Sequence, residues 1–426
     1  VHSPPQASYH ALVKSQPPPN AEAGMWSGAI PQHPVETTSE SFSDLGLSVP
    51  TLEVLLRIGF FHPTPIQAAV IPAAIDGRDI LGLAETGSGK TAAFALPIAE
   101  RLLHGRGLRG LVLAPTRELA LQTKAFLDLF GQFHGLRTVA LIGGVALGPQ
   151  TDELRRGPDM AVATPGRLAD HLERRHLTLG AIEVLVLDEA DHMLDMGFLP
   201  QVQRLLRHVP PRRQTMLFSA TMPPPIERLV SDLLANPVRV DVLPRGGAAR
   251  GISHRLYLVE PEAKKACLLA LLRQELVSTL VFIRRRSDAE WLSRVLVREG
   301  HPVERLHGDL SQAERLRALR GFREGQHRIL VATDVAARGL DVPSIRHIVN
   351  FELPETVDDY IHRAGRTARG TALGLVSSIA TWKDRELITE IEHRLGEKLP
   401  RCAVAGVPAY DEPKPRRPAV RRRRLL

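Results

Sequence analysis

The sequence predicts an α/β protein made of two tandem parallel-sheet domains joined by a short flexible linker. Three observations predict it. The 426 residues are too many for one ordinary domain of about 100–200 residues and suit two. From about Phe42 onward, short β-rich runs alternate with helical patterns, the signature of βαβ units on a mostly parallel sheet. One Gly-rich basic stretch, PRGGAARG at 244–251, breaks that alternation and has no core pattern, as expected of a linker.

Taken in order, residues 1–40 are rich in Pro, Ser, Gln and Ala (SPPQASYH, SQPPPN). They have too little periodic apolar content to offset the entropy of ordering, which predicts a disordered Pro-rich extension. The first domain, 41–243, pairs DILGLA with TAAFALPIAERLLH, GLVLAP with RELALQTKAFLDLF, IEVLVL with DEADHML, and QTMLFSAT with PPPIERLVSDLL. After the linker the second domain, 252–400, resumes with HRLYLVE, KKACLLALLRQEL, TLVFI, SDAEWLSRVLVREG, RILVATD and IRHIVNF. No repeat relates the two domains residue by residue. Residues 401–426 read as a basic tail.

Composition narrows the class. At 43% hydrophobic and 24% charged the chain reads as soluble and globular. Two cysteines, Cys267 and Cys402, make neither a disulfide framework nor a Cys-based zinc site and suit a reducing compartment. The 17 histidines show no ligand spacing. Aromatics make up only 4%, so contacts to a nucleic acid are expected to lean on backbone charge rather than rows of stacked bases. The net charge is +8; the last sixteen residues carry +5 of it and the other 410 carry +3. No run approaches the roughly 20 apolar residues of a membrane span. No charged n-region followed by an apolar h-region opens the chain, so a cytoplasmic monomer is expected. Beginning at Val1 rather than Met, the chain is expected to be trimmed or partial.

The strongest local signal is Ala84-Glu85-Thr86-Gly87-Ser88-Gly89-Lys90-Thr91, set between a β-like run and a helical one. Glycines let backbone amides turn inward on a phosphate, Lys90 supplies a point charge, and the Thr91 hydroxyl can ligate Mg²⁺. The common pattern has Gly where this chain has Ala84. A plain Gly-Ser turn is the competing reading, and Gly-Lys-Thr in this context makes it a poor one. A second acid should end another buried strand. Leu185-Val186-Leu187-Asp188-Glu189 has that form: Asp188 to hold Mg²⁺, Glu189 to orient or deprotonate the attacking water. Alone, two acids there are as well explained as a helix N-terminus.

With these motifs in place, Asp188-Glu189-Ala190-Asp191 resembles the name-giving tetrad of the DEAD-box ATP-dependent RNA helicases of superfamily 2. The motifs of that family recur in order from residue 42 to about 395. The resemblance implies two RecA-like domains, ATP with Mg²⁺, and RNA of weak sequence preference as partner. Gly59-Phe60-Phe61-His62-Pro63-Thr64-Pro65-Ile66-Gln67 resembles the adenine-reading Q motif, with Phe42 as its upstream aromatic. Phe42, Phe60 and Gln67 thereby join Thr86, Gly87, Ser88, Gly89, Lys90 and Thr91 as nucleotide-binding candidates. Gln67 can donate and accept at once, which suits the adenine edge.

By the same resemblance Pro115, Thr116, Arg117, Gly143, Gly144, Thr164, Pro165, Gly166 and Arg167 line the RNA path of the first domain. As isolated strings they would read as turns and caps. Ser219 and Thr221 of Ser-Ala-Thr are the coupling candidates, with hydroxyls able to reach Asp191; a helix cap is the alternative. In the second domain, 331–341 and His362-Arg363-Ala364-Gly365-Arg366-Thr367-Ala368-Arg369 match further motifs. Arg366 and Arg369, three apart and so on one face if helical, would reach the γ-phosphate only when the domains close, with His362 in a coupling role. Asp334 is assigned to the ribose, and Gln312, Arg315, Thr333, Arg338 and Gly339 to RNA. Two departures stand out. Ile283-Arg284-Arg285-Arg286 occupies positions where the family has a Thr or Asn, and Ala368 replaces a frequent Gly.

The expected function is RNA-stimulated ATP hydrolysis coupled to local unwinding of short RNA duplexes or remodelling of RNA-protein complexes. The finer placement is a bacterial RhlE-like group. An ATP-gated RNA clamp or assembly scaffold with little unwinding is the alternative, and a DNA-translocating helicase a third reading. Arg421 to Arg424 are expected to add salt-sensitive, nonspecific affinity, or else only solubility.

Overall fold

The computed structural model describes residues 38, 40–85, 87–102, 105, 107–243, 251–337, 345–367, 373–408 and 410. The expected linker at 244–251 therefore lies outside them except for Gly251, as do almost all of the 1–40 extension and the Arg421–Arg424 cluster.

β1 (Ile80–Leu83), β2 (Gly110–Leu113), β3 (Thr138–Leu141), β4 (Met160–Ala163), β5 (Val184–Leu187), β6 (Gln214–Ser219) and β7 (Val238–Asp241) form one sheet. Its order is β3-β4-β2-β5-β6-β1-β7, and every neighbouring pair is parallel. A second sheet holds β8 (Ile252–Leu258), β9 (Thr279–Ile283), β10 (Val303–Leu306), β11 (Ile329–Thr333), β12 (His347–Asn350) and β13 (Gly374–Ala380). It runs β10-β11-β9-β12-β13-β8, again parallel throughout.

These short apolar runs are strands because helices cover both faces of each sheet. Alternation sends Ile80, Val112, Val184, Val186, Met216 and Phe218 into one core. Leu81, Leu83, Leu111, Leu113, Leu185, Leu187 and Leu217 enter the core on the opposite face, as period-two side chains must. The second sheet repeats the arrangement, with Leu280, Phe282, Leu330 and Ile348 on one side and Val281, Ile283, Val331 and Val349 on the other. Each fully buried side chain of this size contributes roughly 1.5–3 kcal/mol.

Parallel strands bring every strand's C-terminal end to one edge, and the following helices start there. The segments after β1, β2, β4, β5 and β6 accordingly open the helices Lys90–Arg101, Arg117–Gly131, Pro165–Glu173, Ala190–Asp195 and Pro224–Leu233. The second lobe does not end at residue 400. Arg401 bridges to Leu256, Cys402 N donates to Leu256 O at 2.8 Å and Tyr410 N to Leu258 O at 2.9 Å, and Val404 is buried. The first part of the expected tail is thus packed on β8, because Val404 offers apolar area that a charge count overlooks. No helix among the described residues is long and apolar enough to cross a membrane.

Candidate active site

The turn after β1 is held by backbone geometry. Gly87 and Gly89 have φ of 87° and 97°, the region that strains any side chain with a Cβ. A Cβ on Gly89 would also come within 2.5 Å of Gln67 Nε2. Lys90 is buried and its Nζ donates to Ala84 O at 2.8 Å, which folds the ammonium back over the loop. Ser88 Oγ donates to Glu85 O at 2.8 Å. Burial pushes the Glu85 carboxyl up, against the pull of Lys90. Thr91, the second residue of the helix, is partly exposed; Thr86 lies outside the described residues.

Gln67 also holds the turn together. Thr64 and Gln67 form a capping box on the helix Pro65–Ile75: Gln67 Oε1 accepts from Thr64 N at 3.0 Å, and Gln67 Nε2 donates to Gly89 O at 3.1 Å. Both ends of the amide are engaged and the residue is 3% exposed. It ties the capped turn to the phosphate loop, leaving one N–H and one lone pair for a base. Phe42 calls for a correction. Expected as a nucleotide-facing aromatic, it is 0% exposed and belongs to the first core. The capped turn Phe42–Leu45, held by Ser41 and Asp44, points its ring inward. Phe60 is partly buried against the same core.

β5 delivers the acids. Asp188 is 2% exposed, and its Oδ1 has no hydrogen-bond partner among the described residues. Burial, with the neighbouring Glu189 charge, pushes Asp188 up to about 7 against the pull of Lys90. A buried carboxylate oxygen without a partner fits a cation, the place a divalent ion with Thr91 would take. Glu189 sits at φ 52°, and its Oε2 accepts from His192 Nδ1 at 2.8 Å. Burial alone would raise Glu189, but His192, Lys90 and Arg366 outweigh it and hold the carboxyl well below its ordinary range.

Asp191 joins β5 to β6. Its Oδ2 accepts from Thr221 N at 2.9 Å, Ala220 N at 3.1 Å and Thr221 Oγ1 at 3.1 Å. Ser219 Oγ accepts from Asp191 N at 3.3 Å and donates to Thr221 O at 2.8 Å. The two hydroxyls therefore reach Asp191 as the sequence suggests. From the second lobe, His362 Nε2 lies 3.9 Å from Asp191 Oδ2, and Arg366, 3% exposed, lies close enough to lower Glu189. Arg369, Arg338 and Gly339 fall outside the described residues.

Asp334 is bound within its own lobe. Arg363 donates from Nε to Oδ1 at 2.6 Å and from Nη2 to Oδ2 at 2.7 Å. Arg363 Nη1 reaches Asn350 Oδ1 at 2.8 Å and Glu352 O at 2.7 Å. Any ribose contact by Asp334 must use the lone pairs left over.

A second constellation lines the ends of β2, β3 and β4. Thr116 caps the helix Arg117–Gly131, its Oγ1 accepting from Leu119 N at 3.2 Å. The Arg117 guanidinium lies over Gly143 and Gly144, so a Cβ at Gly144 would overlap it. Thr164, with Pro165 and Gly166 following, starts the next helix. Arg167 donates to Val145 O at 2.9 Å, and its buried Nη1 has no hydrogen-bond partner among the described residues. Burial lowers the Arg117 guanidinium, which Glu118 opposes and Arg315 and Arg167 reinforce. Three clustered guanidiniums beside an orphaned donor favour an anion such as a nucleic-acid phosphate. Thr333, also buried, ends β11.

Gln312 and Arg315, expected on the RNA side of the second domain, are buried in the seam between the lobes. Arg315 Nε donates to Glu118 Oε1 at 2.8 Å, Gln312 Nε2 lies 3.4 Å from the same oxygen, and Arg117 Nη1 lies 3.5 Å from Gln312 Oε1. Their partner Glu118 was missed because a carboxylate in a basic neighbourhood carries no phosphate logic. His192 was missed too, although an acid and a histidine three apart at a helix start is a readable pair.

Residues 64–229 match the family model described as DEAD/DEAH box helicase, and 263–371 the model described as helicase conserved C-terminal domain. The chain belongs to the DEAD-box helicase family. It is 44% identical over 369 residues to the ATP-dependent rRNA helicase RRP3 of Debaryomyces hansenii, covering 86% of this chain and 77% of that protein. Saccharomyces cerevisiae Dbp5 bound to RNA and ADP BeF3 superposes with a TM-score of 0.77 at 30% identity, over 85% of this chain and 96% of that one. A DEAD box protein from Methanococcus jannaschii matches at 34% identity over 85% and 99% of the two chains, yet with a TM-score of 0.51. This DEAD-box chain is an ATP-dependent RNA helicase.

Proposed function

We propose that the chain couples ATP hydrolysis in a pocket shared by the two lobes to the remodelling of ribosomal RNA. The observation that carries this reading is the meeting of Glu189 with groups of the other lobe: Arg366 acts on its charge and His362 approaches Asp191. Hydrolysis then depends on closure. In this reading Lys90 and the amides of Gly87, Ser88 and Gly89 bind the phosphates, with Thr86 in the same loop, and Glu189 orients the water and accepts its proton. Arg366 and Arg369 stabilise the charge that develops on the γ-phosphate. Thr91 and Asp188 would hold Mg²⁺, which would neutralise phosphate charge when bound. The lobes correspond to 41–243 and to a second domain extended past residue 400.

RNA is bound by Thr116, Arg117, Gly143, Gly144, Thr164 and Arg167, which contact phosphate and sugar and so discriminate weakly among sequences. Ribosomal RNA is favoured as substrate because the 44%-identical fungal relative is an rRNA helicase. That relative gives the expected bacterial RhlE-like grouping no support. The place of action is wherever ribosomal RNA is folded, the cytoplasm in a cell without a nucleus.

The test is steady-state ATPase with and without RNA, run beside unwinding of a short RNA duplex, on the full chain and on Glu189→Gln. The expected result is RNA-stimulated turnover and strand separation in the first, and a loss of roughly a hundred-fold or more in turnover with RNA and ATP still bound in the second. Turnover without strand separation would select the clamp. Normal turnover by Glu189→Gln would remove the catalytic assignment.

A further inference from the structure

We propose that His192 is a positioning residue that transmits lobe closure to Glu189. The proposal rests on the reading of Glu189 as the water-orienting base and adds a residue to it.

His192 is 2% exposed and directly follows the acidic tetrad. A carboxylate only accepts, so the 2.8 Å contact between His192 Nδ1 and Glu189 Oε2 fixes the tautomer with the proton on Nδ1. The Glu189 backbone is already pinned at φ 52°, an uncommon conformation for a residue with a side chain. Its remaining freedom is in the side-chain torsions, and the imidazole three residues on removes it. In so dry a setting that hydrogen bond is strong and directional.

His192 also meets the other lobe. Its ring lies edge-to-face with His362, centroids 4.9 Å apart and planes at 90°. His362 belongs to the second-lobe helix Val357–Ala364, so this contact exists only when the lobes are together. Turning the His192 ring about its own torsions would break the bond to Glu189. With His362 against it, the ring loses room to turn. Closure thereby orders the carboxylate that must face the attacking water. Asp191 stands beside this path: its oxygens accept from Ala220, Thr221 and His192 N, and His362 Nε2 lies 3.9 Å from its Oδ2.

A histidine that merely filled the core would affect folding or ligand affinity when replaced. A positioning residue affects kcat. The test therefore uses the full chain, with RNA-stimulated ATPase as one readout and binding of single-stranded RNA together with a non-hydrolysable ATP analogue as the other. His192→Phe keeps a ring and deletes the donor: kcat should fall roughly a hundred-fold, the scale of a misplaced catalytic group, while RNA and analogue affinities and the KM for ATP stay unchanged. His192→Asn, whose amide N–H can replace Nδ1–H, should recover part of the loss. The double variant His192→Phe with His362→Ala should lose less than the product of the two single losses, since the ring contact is shared while His362 also faces Asp191.

Unchanged kcat in His192→Phe, loss of RNA or analogue binding in it, failure of Asn to rescue, or multiplicative losses in the double variant would each overturn the proposal. Glu189→Gln is the control. If it turns over normally, the assignment of the base itself is wrong; if it is inactive while His192→Phe is normal, only the positioning role is lost.

Discussion

Arg315 of the second lobe and Glu118 of the first form a buried ion pair across the seam, Nε to Oε1 at 2.8 Å, with side chains 9% and 4% exposed. Both groups must give up water for the pair to form, so its balance enters the open-to-closed equilibrium rather than the stability of either lobe. Removing one charge leaves the other desolvated in the closed state, a cost of about 2 kcal/mol for a charged hydrogen bond. Glu118→Gln should therefore raise the RNA concentration needed for half-maximal ATPase while leaving thermal unfolding unchanged. An unaltered RNA titration would mean that closure does not draw on this pair.

Gly89 faces two constraints at once, a φ of 97° and the Gln67 amide in the space a Cβ would take. Gly89→Ala must either strain the loop by about 1–2 kcal/mol or push Gln67 off the Gly89 carbonyl. Both disturb the amides meant for phosphate. ATP affinity should fall about ten-fold in an equilibrium titration with a fluorescent ATP analogue, and RNA binding without nucleotide should be retained. Unchanged ATP affinity would show that this turn relaxes freely.

Much of this is legible in the sequence, and what is hidden there has a physical reason. The alternation of IEVLVL with DEADHML located β5 and its acids because a doubly buried strand must be continuously apolar. Ser219, Thr221 and Asp191 were linked because hydroxyls after one strand can reach an acid after its neighbour. Phe42 was misjudged since an aromatic side chain reads the same whether it faces a base or a core, and only packing decides. The contact of Gln312 and Arg315 with Glu118 is hidden in the sequence because motifs carry no information on which lobe surfaces meet. Arg363 escaped assignment between two noticed residues, His362 and Arg366, because a guanidinium that braces its own lobe looks no different in sequence from one aimed at a phosphate.

Arg363 is 2% exposed and uses both edges of its guanidinium. It holds Asp334 in bidentate fashion, reaches Asn350 and Glu352, and lies 4.7 Å from the centroid of the Phe282 ring. A lysine cannot reproduce that planar fork. Arg363→Lys keeps the charge but should leave Asp334 and Asn350 underbonded and cost the second lobe about 1–3 kcal/mol, the range for lost charge-assisted hydrogen bonds. Urea denaturation followed by a probe in that lobe measures the loss. A change below the error of the extrapolation would mean that Asp334 finds other partners.

His347 gives the fold an acid-sensitive point. It is fully buried in β12, with Nε2 2.8 Å from Ser377 Oγ and Nδ1 without a hydrogen-bond partner among the described residues. Burial, helped by Arg255 and Arg328, pushes it down to about 4. An unfolded histidine titrates near about 6.5. Above that pH neither state binds the proton and the stability is fully present. As pH falls toward about 4 the unfolded chain takes up a proton that the folded chain refuses, so stability is lost across that window. Down to about pH 4.5 this amounts to about 2.5 kcal/mol. His347→Gln, which keeps a partner for Ser377, should show a smaller drop in unfolding free energy between about pH 7.5 and about pH 4.5 than the parent chain, by about that amount. Equal drops in the two proteins would show that His347 protonates in the folded state as readily as in the unfolded one.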